Sequence, residues 1–266
     1  MDLGLKGRVA LVTGASRGIG AAIAAALAAE GCRVAICGRT ADTLDATAAR
    51  IGATGAEVLP IRADLSATGE AERAVNDTVS HFGGIDILVN NLGGGKAGDT
   101  DEAWDFTIDI NLGVAVRANR AAIPTMNAAG RGVILIVSSV SGWQVGGSAA
   151  YNVAKAAEIM YARTLAKDLG PFGIRANAVS PGSILFPGGG WERRQERDPE
   201  TIADFIARDM PLGRFGTATD TLLGFFPVAT AETSPGDTGL GLHACVLACR
   251  PIRDPPNWPG GHRGMM

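Results

Sequence analysis

The sequence predicts an α/β protein built on a doubly wound parallel sheet. Between residues 9 and 179, short runs rich in β-branched residues alternate with alanine-rich segments of helical length. The short runs are mostly apolar and lack the clean alternation of a sheet that has one face in water. Strands buried on both faces need helices on both sides. Because no repeat or linker divides the chain, we expect a single domain.

Six runs are candidate strands, and two segments between them are clear candidate helices. The strands are predicted at residues 9–12, 33–36, 58–61, 85–89, 133–137 and 174–179, and the helices at residues 21–29 and 41–51. In sheets of this kind, ligands bind beyond the carboxyl ends of the strands. The residues that follow each strand are therefore the candidate site residues.

Composition limits the function classes. Of the 266 residues, 46% are hydrophobic and 19% are charged, which suits a domain with a sizeable core. The net charge of −3 leaves no basic surplus for the phosphates of nucleic acid or of an anionic membrane, so we expect neither partner. Residues 1–8 lack the apolar run of a signal peptide. The four cysteines then indicate free thiols and a cytoplasmic protein.

The turn after the first strand is the candidate phosphate site. It contains Gly14, Ser16, Arg17, Gly18, Ile19 and Gly20. Glycines let the backbone approach a pyrophosphate, and the start of the following helix supplies free N–H donors. The G-x-x-x-G-x-G spacing is weak evidence alone, but its place between the first strand and the first helix strengthens it.

Further motifs follow the later strands in order. They are Asp64-Leu65 after the third strand, Asn91-Leu92-Gly93 after the fourth, Tyr151-x-x-x-Lys155 after the fifth and Pro181-Gly182 after the sixth. With these motifs, residues 5–218 resemble a short-chain dehydrogenase/reductase of the bacterial 3-oxoacyl-(acyl-carrier-protein) reductase type, a family with the Rossmann fold. Leu92 stands where the family usually has alanine.

The resemblance implies a set of dinucleotide-binding residues. Asp64 and Leu65 would contact the adenine, while Pro181 and Gly182 would face the nicotinamide. The set is completed by the residues of the glycine turn and by Asn91, Gly93, Tyr151, Lys155 and Ile184.

The end of the second strand favours NADP over NAD. An acidic residue there would bond the ribose hydroxyls of NAD and repel a 2′-phosphate. The chain instead has Arg39 there, with Arg17 in the glycine turn. Guanidinium groups offer a planar set of donors to a phosphate, although isolated arginines are usually solvated surface residues.

The candidate catalytic pair is Tyr151 and Lys155, one turn apart on one helix face. A free tyrosine titrates near pH ~10, and a neighbouring cation favours its ionised form. By itself, this spacing is common by chance. Its position after the fifth strand is what makes it evidence for a catalytic pair. The resemblance makes Tyr151 the proton donor, with Lys155 holding the ribose. It makes Asn111 a support for a water that links Lys155 to solvent.

Two serines compete for the role of the residue that orients the substrate oxygen. Alignment of strand ends through Val140-Ser141-Gly142 selects Ser139, whereas counting thirteen residues back from Tyr151, a frequent family spacing, selects Ser138. We favour Ser139, because the strand fixes the serine and the loop beyond it can lose a residue. Ser138 is then a structural hydroxyl.

These features predict reduction of a ketone, or oxidation of a secondary alcohol, with NADP(H). The resemblance favours a 3-oxoacyl thioester as the substrate. A sugar or polyol is the alternative within the enzyme class. A different class remains open: a nucleotide-binding protein with little turnover.

The segment after the sixth strand divides into two parts. The resemblance makes residues 183–212 a lid over the substrate, hinged at residues 188–190, with Phe186 and Trp191 either lining an apolar pocket or packing the lid on the body of the protein. The charge run at residues 192–197 is most simply a solvated helix face. Residues 1–218 thus form the domain.

Residues 219–266 are atypical, and their composition resembles the product of an altered reading frame. Six of the thirteen prolines lie there, and the family's usual ending is absent. His243, Cys245 and Cys249 lack a clear fourth ligand, so we expect no metal. In relatives the last strand contributes to a tetramer. The helix that begins at Tyr151 usually pairs subunits, so we expect a homodimer or a homotetramer.

Overall fold

The computed structural model describes residues 3–222 of the chain. The predictions for the segment after residue 222, including its cysteines, its histidines and a last strand, lie outside the described residues.

Six strands form the main sheet, and its order is β3-β2-β1-β4-β5-β6. The strands are β1 Val9–Val12, β2 Arg33–Gly38, β3 Val58–Arg62, β4 Ile87–Asn90, β5 Gly132–Val137 and β6 Ile174–Val179. Every neighbouring pair is parallel. The strand order reverses direction between β1 and β4, where ligands of doubly wound sheets bind. The predicted fold class is confirmed.

Eight α-helices are found among the described residues. They are α1 Gly18–Ala29, α2 Ala41–Gly52, α3 Glu70–Phe82, α4 Asp101–Ile108, α5 Val114–Ala129, α6 Ala149–Leu169, α7 Gly190–Arg197 and α8 Pro199–Asp209. None of the described helices has the length and apolar character that a membrane crossing requires. A turn of π-helix at Asp109–Gly113 joins α4 to α5.

Two apolar clusters cover the two faces of the sheet. Val9 and Leu11 of β1 face one cluster, and Ala10 and Val12 face the other. All four side chains are buried. Because successive residues of a strand point to opposite faces, a sheet covered on both sides requires unbroken apolar strands. This explains the absence of alternation in the sequence.

Strand β4 begins at Ile87, two residues later than the sequence predicts. Asp86 precedes it and ties three strands together at their amino ends. Its carboxylate accepts hydrogen bonds from the Val9 amide at 2.9 Å, from Arg131 Nε at 2.9 Å and from Arg8 Nη1 at 3.3 Å.

The chain after β6 forms a separate small layer beside the sheet ends. Short strands β7 Ile184–Leu185 and β8 Gly216–Thr217 pair in parallel, with α7 and α8 between them. Trp191 stacks on Phe205 with ring centroids 4.9 Å apart and contacts Phe215 at 5.0 Å. Trp191 therefore packs within this small layer, which is neither of the two roles considered for it.

Candidate active site

A cavity of about 570 Å³ lies at the carboxyl ends of β1 to β5. The position is the one that the fold class predicts. The predicted site residues in its lining are Gly14, Ser16, Arg17, Ile19, Arg39, Leu65, Asn91, Gly93, Tyr151 and Lys155. The predicted residues outside the lining are Gly18, Gly20, Asp64, Asn111, Ser139, Pro181, Gly182 and Ile184. The structure therefore brings residues from five separate strand ends to one cavity.

Asn91 holds the glycine turn against the end of β4. Its Nδ2 donates to the carbonyls of Thr13 and Gly14 at 2.9 and 3.1 Å. A Cβ atom at Gly20 would lie 2.5 Å from Asn91 Nδ2, and one at Gly14 would lie 3.0 Å from Leu92 Cα. These two glycines are therefore required by contacts within the protein as well as by any ligand.

Gly18 is required by the close approach of Phe186. Its φ of +61° is the left-handed conformation that glycine tolerates, and a Cβ there would lie 2.7 Å from Phe186 Cε2. Phe186 also lines the cavity. Of the two roles considered for Phe186, the structure supports both: the ring packs on the glycine turn and borders the cavity.

Three arginines line the cavity, and sequence analysis identified two of them. Arg17 and Arg39 follow β1 and β2, whereas Arg193 comes from α7. Arg193 Nη1 donates to the carbonyl of Gly188. Within the described chain, no Asp or Glu lines the cavity. The signal for Arg193 was the charge run at residues 192–197, which sequence analysis assigned to solvent.

Asp64 lies just outside the cavity while Leu65 lines it. The Asp64 carboxylate accepts hydrogen bonds from the Ser66 hydroxyl at 2.6 Å and the Ser66 amide at 3.2 Å. The Ser66 hydroxyl, followed by the Ser66 amide and the Arg39 charge, holds the pKa of Asp64 below its usual value. Asp64 is therefore ionised at neutral pH, and its negative charge is attracted by the positive charge of Arg39.

Helix α6 carries Tyr151 and Lys155 into the cavity. The helix starts with a side-chain cap, since the Ser148 hydroxyl accepts a hydrogen bond from the Tyr151 amide at 3.3 Å. Lys155 Nζ lies 5.7 Å from the centre of the Tyr151 ring. The predicted pair thus shares one helix face and one cavity.

Lys155 is buried and forms an ion pair that sequence analysis did not identify. Its Nζ donates to Glu158 Oε2 at 3.0 Å, to Glu158 Oε1 at 3.1 Å and to the Val137 carbonyl at 3.1 Å. Burial opposes the charged form, but the Glu158 charge and then Tyr151 outweigh it and raise the pKa of Lys155. The i,i+3 spacing is the signal that the sequence offered.

Asn111 joins the loop after β4 to the π-helical turn by hydrogen bonds. Its Nδ2 donates to the carbonyls of Gly94 and Thr107, both at 2.7 Å, and its Oδ1 accepts from the Gly94 amide at 3.2 Å. A Cβ at Gly93 would lie 2.7 Å from Asn111 Oδ1 and 3.1 Å from Lys155 Nζ. Asn111 therefore lies next to Lys155, and its role in holding a water stays a prediction.

The two serines after β5 make different hydrogen bonds. Ser138 is buried, lines the cavity and donates from Oγ to the Lys155 carbonyl at 2.8 Å. Ser139 Oγ accepts from the Ser141 amide at 3.1 Å, which leaves its hydroxyl proton free to donate. Ser138 thus makes the structural hydrogen bond that we expected. However, the cavity lining includes Ser138 and does not include Ser139. The assignment of Ser139 stays a prediction.

Pro181, Gly182 and Ile184 continue from β6 towards the lid. The Pro181 carbonyl accepts a hydrogen bond from the Val140 amide at 3.1 Å, which joins this segment to the turn after Ser139. Ile184 pairs with Gly216 in the small sheet. Their contact with a nicotinamide stays a prediction.

Cysteine and metal chemistry find no support in the described part of the chain. Cys37 lines the cavity, but burial raises its pKa to about 12, so it stays a thiol at neutral pH. Residues 3–222 contain no group of three His, Cys, Asp or Glu side chains that could hold a metal.

Comparison with known proteins identifies the family. The family model described as short chain dehydrogenase matches residues 8–197. The chain is 36% identical over 232 residues to the short-chain reductase protein NovJ of Streptomyces niveus, covering 85% of this chain and 88% of that protein. It is 36% identical over 220 residues to a 3-oxoacyl-[acyl-carrier-protein] reductase of Synechocystis sp., covering 80% and 85%.

Solved structures agree with this comparison. The L-sorbose reductase of Gluconobacter frateurii, complexed with NADPH and L-sorbose, superposes with a TM-score of 0.81 at 30% identity, covering 92% of this chain and 95% of that one. A 3-oxoacyl (acyl-carrier-protein) reductase of Agrobacterium tumefaciens with NADP bound gives 0.81 at 27% identity, covering 91% and 93%. The chain therefore belongs to the short chain dehydrogenase family, a family of nucleotide-binding oxidoreductases with the Rossmann fold.

Proposed function

We propose that the chain interconverts a ketone and a secondary alcohol with NADP(H), and that its substrate is a 3-oxoacyl thioester. The observation that carries this proposal is the placement of Tyr151 and Lys155 in the same cavity as the glycine turn. A proton donor, a buried cation and a phosphate-type turn are the three parts that such a reaction needs in one place.

The residues of the cavity fit a dinucleotide with a 2′-phosphate. Arg17, Arg39 and Arg193 line it, with no carboxylate among its described lining residues. The glycine turn leads into α1, whose first N–H groups and dipole favour an anion. Arg17 and Arg39 would hold the 2′-phosphate, and Lys155 the ribose near the nicotinamide. When bound, the nicotinamide supplies the hydride in reduction or accepts it in oxidation.

Side chains of the protein carry out the proton transfer. In reduction, Tyr151 gives the proton of its Oη to the substrate oxygen, and in oxidation it takes the proton back. Ser139 donates a hydrogen bond to the same oxygen and steadies the charge that develops there. The Lys155 cation, one turn along α6, stabilises negative charge on the phenol oxygen as the proton leaves.

Two classes of relative favour two substrate classes. Relatives named as 3-oxoacyl or ketoacyl reductases favour an acyl thioester. The structural match to L-sorbose reductase favours a sugar or polyol.

Two measurements separate these substrate classes. The first is thermal-shift titration with NADPH and NADH, and the second is an NADPH absorbance assay with acetoacetyl thioester and with ketoses. We expect NADPH binding and thioester turnover. Faster turnover of ketoses would select the second substrate class, and binding without any turnover would select a nucleotide-binding role.

Arg39 provides the test of cofactor choice. We expect Arg39→Gln to raise the Kd of NADPH about tenfold, because a charge-assisted bond to phosphate is lost, and to change the Kd of NADH less than about twofold. Arg50→Gln, which removes an exposed arginine of α2, is the matched control. Equal losses for both cofactors would contradict the assignment of Arg39 to the 2′-phosphate.

We further propose a homo-oligomer in the cytoplasm with a small-molecule substrate. Helix α6 exposes Val153 and Met160, which are 49% and 60% exposed, and such apolar residues on one helix favour a subunit contact. The thiols of Cys32 and Cys37 are free, as expected in a reducing compartment. We retain residues 1–218 as the domain, with residues 183–212 as its lid.

A further inference from the structure

Glu158 is a buried carboxylate that the reaction described above does not use. Its side chain is 2% exposed, and that of Lys155 is 4% exposed. Burial raises the pKa of Glu158, and the Lys155 charge, followed by the hydrogen bonds from Lys155, opposes that rise. Two charges removed from water this completely persist only when each compensates the other.

Glu158 and the Val137 carbonyl hold Lys155 Nζ in place. The two Glu158 oxygens, at 3.0 and 3.1 Å, belong to one carboxylate and lie in nearly the same direction from Nζ, so they share one of its three N–H donors. The Val137 carbonyl, at 3.1 Å, accepts from a second, and among the described residues the third is left for the ribose proposed above. This set of bonds fixes the position of Nζ beside the ring of Tyr151, and Glu158 accepts from one of the two donors in use.

We propose that Glu158 is a positioning residue that keeps Lys155 charged and fixed beside Tyr151. The proposal rests on the function proposed above for the Tyr151–Lys155 pair. Glu158 does not reach the cavity lining, so it acts through Lys155. Without the negative charge of Glu158, the buried Lys155 ammonium loses its proton at a lower pH.

Within the described residues, the groups that face this ion pair from other elements are uncharged, so Glu158 has no substitute as the counter-ion. Tyr151 is the other titratable group that acts on Lys155. The facing groups are the Val137 carbonyl and the Ser138 hydroxyl at the end of β5, Asn111 in the π-helical turn and Gly93 after β4.

The test is the pH dependence of NADPH binding and of ketone reduction in Glu158→Gln. Glutamine keeps the size and one acceptor oxygen but removes the charge. We expect the loss of binding and turnover at alkaline pH to begin at least about one pH unit lower than in the wild-type protein. Glu57→Gln, which removes an exposed carboxylate near His81, should keep the wild-type profile.

A purely structural ion pair predicts a different result. Its loss would lower the melting temperature and leave both pH profiles in place, and that outcome would overturn the proposal. If Glu158→Gln does not fold, Glu158→Asp provides the test. Aspartate keeps the negative charge, but its shorter side chain places the carboxylate farther from Lys155. We expect a smaller displacement in the same direction, and a wild-type profile would again overturn the proposal. Absence of NADPH binding by the wild-type protein would instead reject the function on which the proposal rests.

Discussion

Adjacent hydroxyls at the end of β5 have different hydrogen-bonding freedom. The Ser138 proton is committed to the carbonyl of Lys155, whereas Ser139 only accepts, from the Ser141 amide. A residue that steadies developing charge on a substrate oxygen must donate. The free proton of Ser139 therefore supports its assignment, and the cavity-facing place of Ser138 supports the alternative.

A pair of alanine variants separates the two serines. We expect Ser139→Ala to lower kcat/KM for ketone reduction about 100-fold, as loss of one donor to the reacting oxygen does. We expect Ser138→Ala to stay within about tenfold of the wild-type value and to lower the melting temperature, because it removes a buried bond to α6. The reverse ranking would assign the role to Ser138.

At the scale of elements, the small layer after β6 is held together by an aromatic cluster that is separate from the main core. Trp191 of α7, Phe205 of α8 and Phe215 before β8 pack against each other. The same helix α7 carries Arg193 into the cavity. We therefore expect order in this cluster to affect the arginine-lined part of the cavity.

Removal of the central ring tests that connection. We expect Trp191→Ala to speed proteolytic cleavage within residues 190–209 and to raise the KM for NADPH several-fold, while the main melting transition shifts little, since the sheet core is untouched. Phe172→Ala, which removes an exposed ring outside the lid, is the control. Unchanged cleavage would show that the cluster does not hold the lid.

The elements also show what the sequence could and could not predict. Strands such as β1 and β5 were found because burial on both faces leaves unbroken apolar runs. The residues that follow the strands, such as Gly14, Asn91 and Tyr151, meet at one sheet edge by topology alone. Contacts between distant segments leave no such local pattern. The packing of Phe186 on Gly18 and the place of Arg193 depend on how α7 returns over the glycine turn.

At the scale of the whole molecule, Asp86 joins the starts of β1, β4 and β5. Burial opposes its charge, but the Val9 amide and the guanidinium groups of Arg131 and Arg8 outweigh burial and lower the pKa of Asp86. A carboxyl whose pKa is lower in the folded state stabilises the fold above its unfolded pKa. That contribution is lost as pH falls through the folded value.

Asp86→Asn tests this linkage by urea denaturation. We expect the variant to lose about 1–3 kcal/mol of unfolding free energy at pH ~7, because charged partners lose their acceptor. The difference from the wild-type protein should shrink as pH falls below about 4, where the wild-type carboxyl also becomes protonated. Asp77→Asn, in an exposed pair with Arg73, should change stability by less than about 1 kcal/mol. A constant difference at all pH values would contradict the linkage.

The central claim is that Tyr151 exchanges the proton with the substrate oxygen, and Tyr151→Phe tests it most directly. The substitution keeps the ring that lines the cavity and removes only the hydroxyl. We expect kcat for ketone reduction to fall at least about 100-fold, while the Kd for NADPH stays within about threefold of the wild-type value. A Tyr151→Phe protein that retained full turnover would contradict the account.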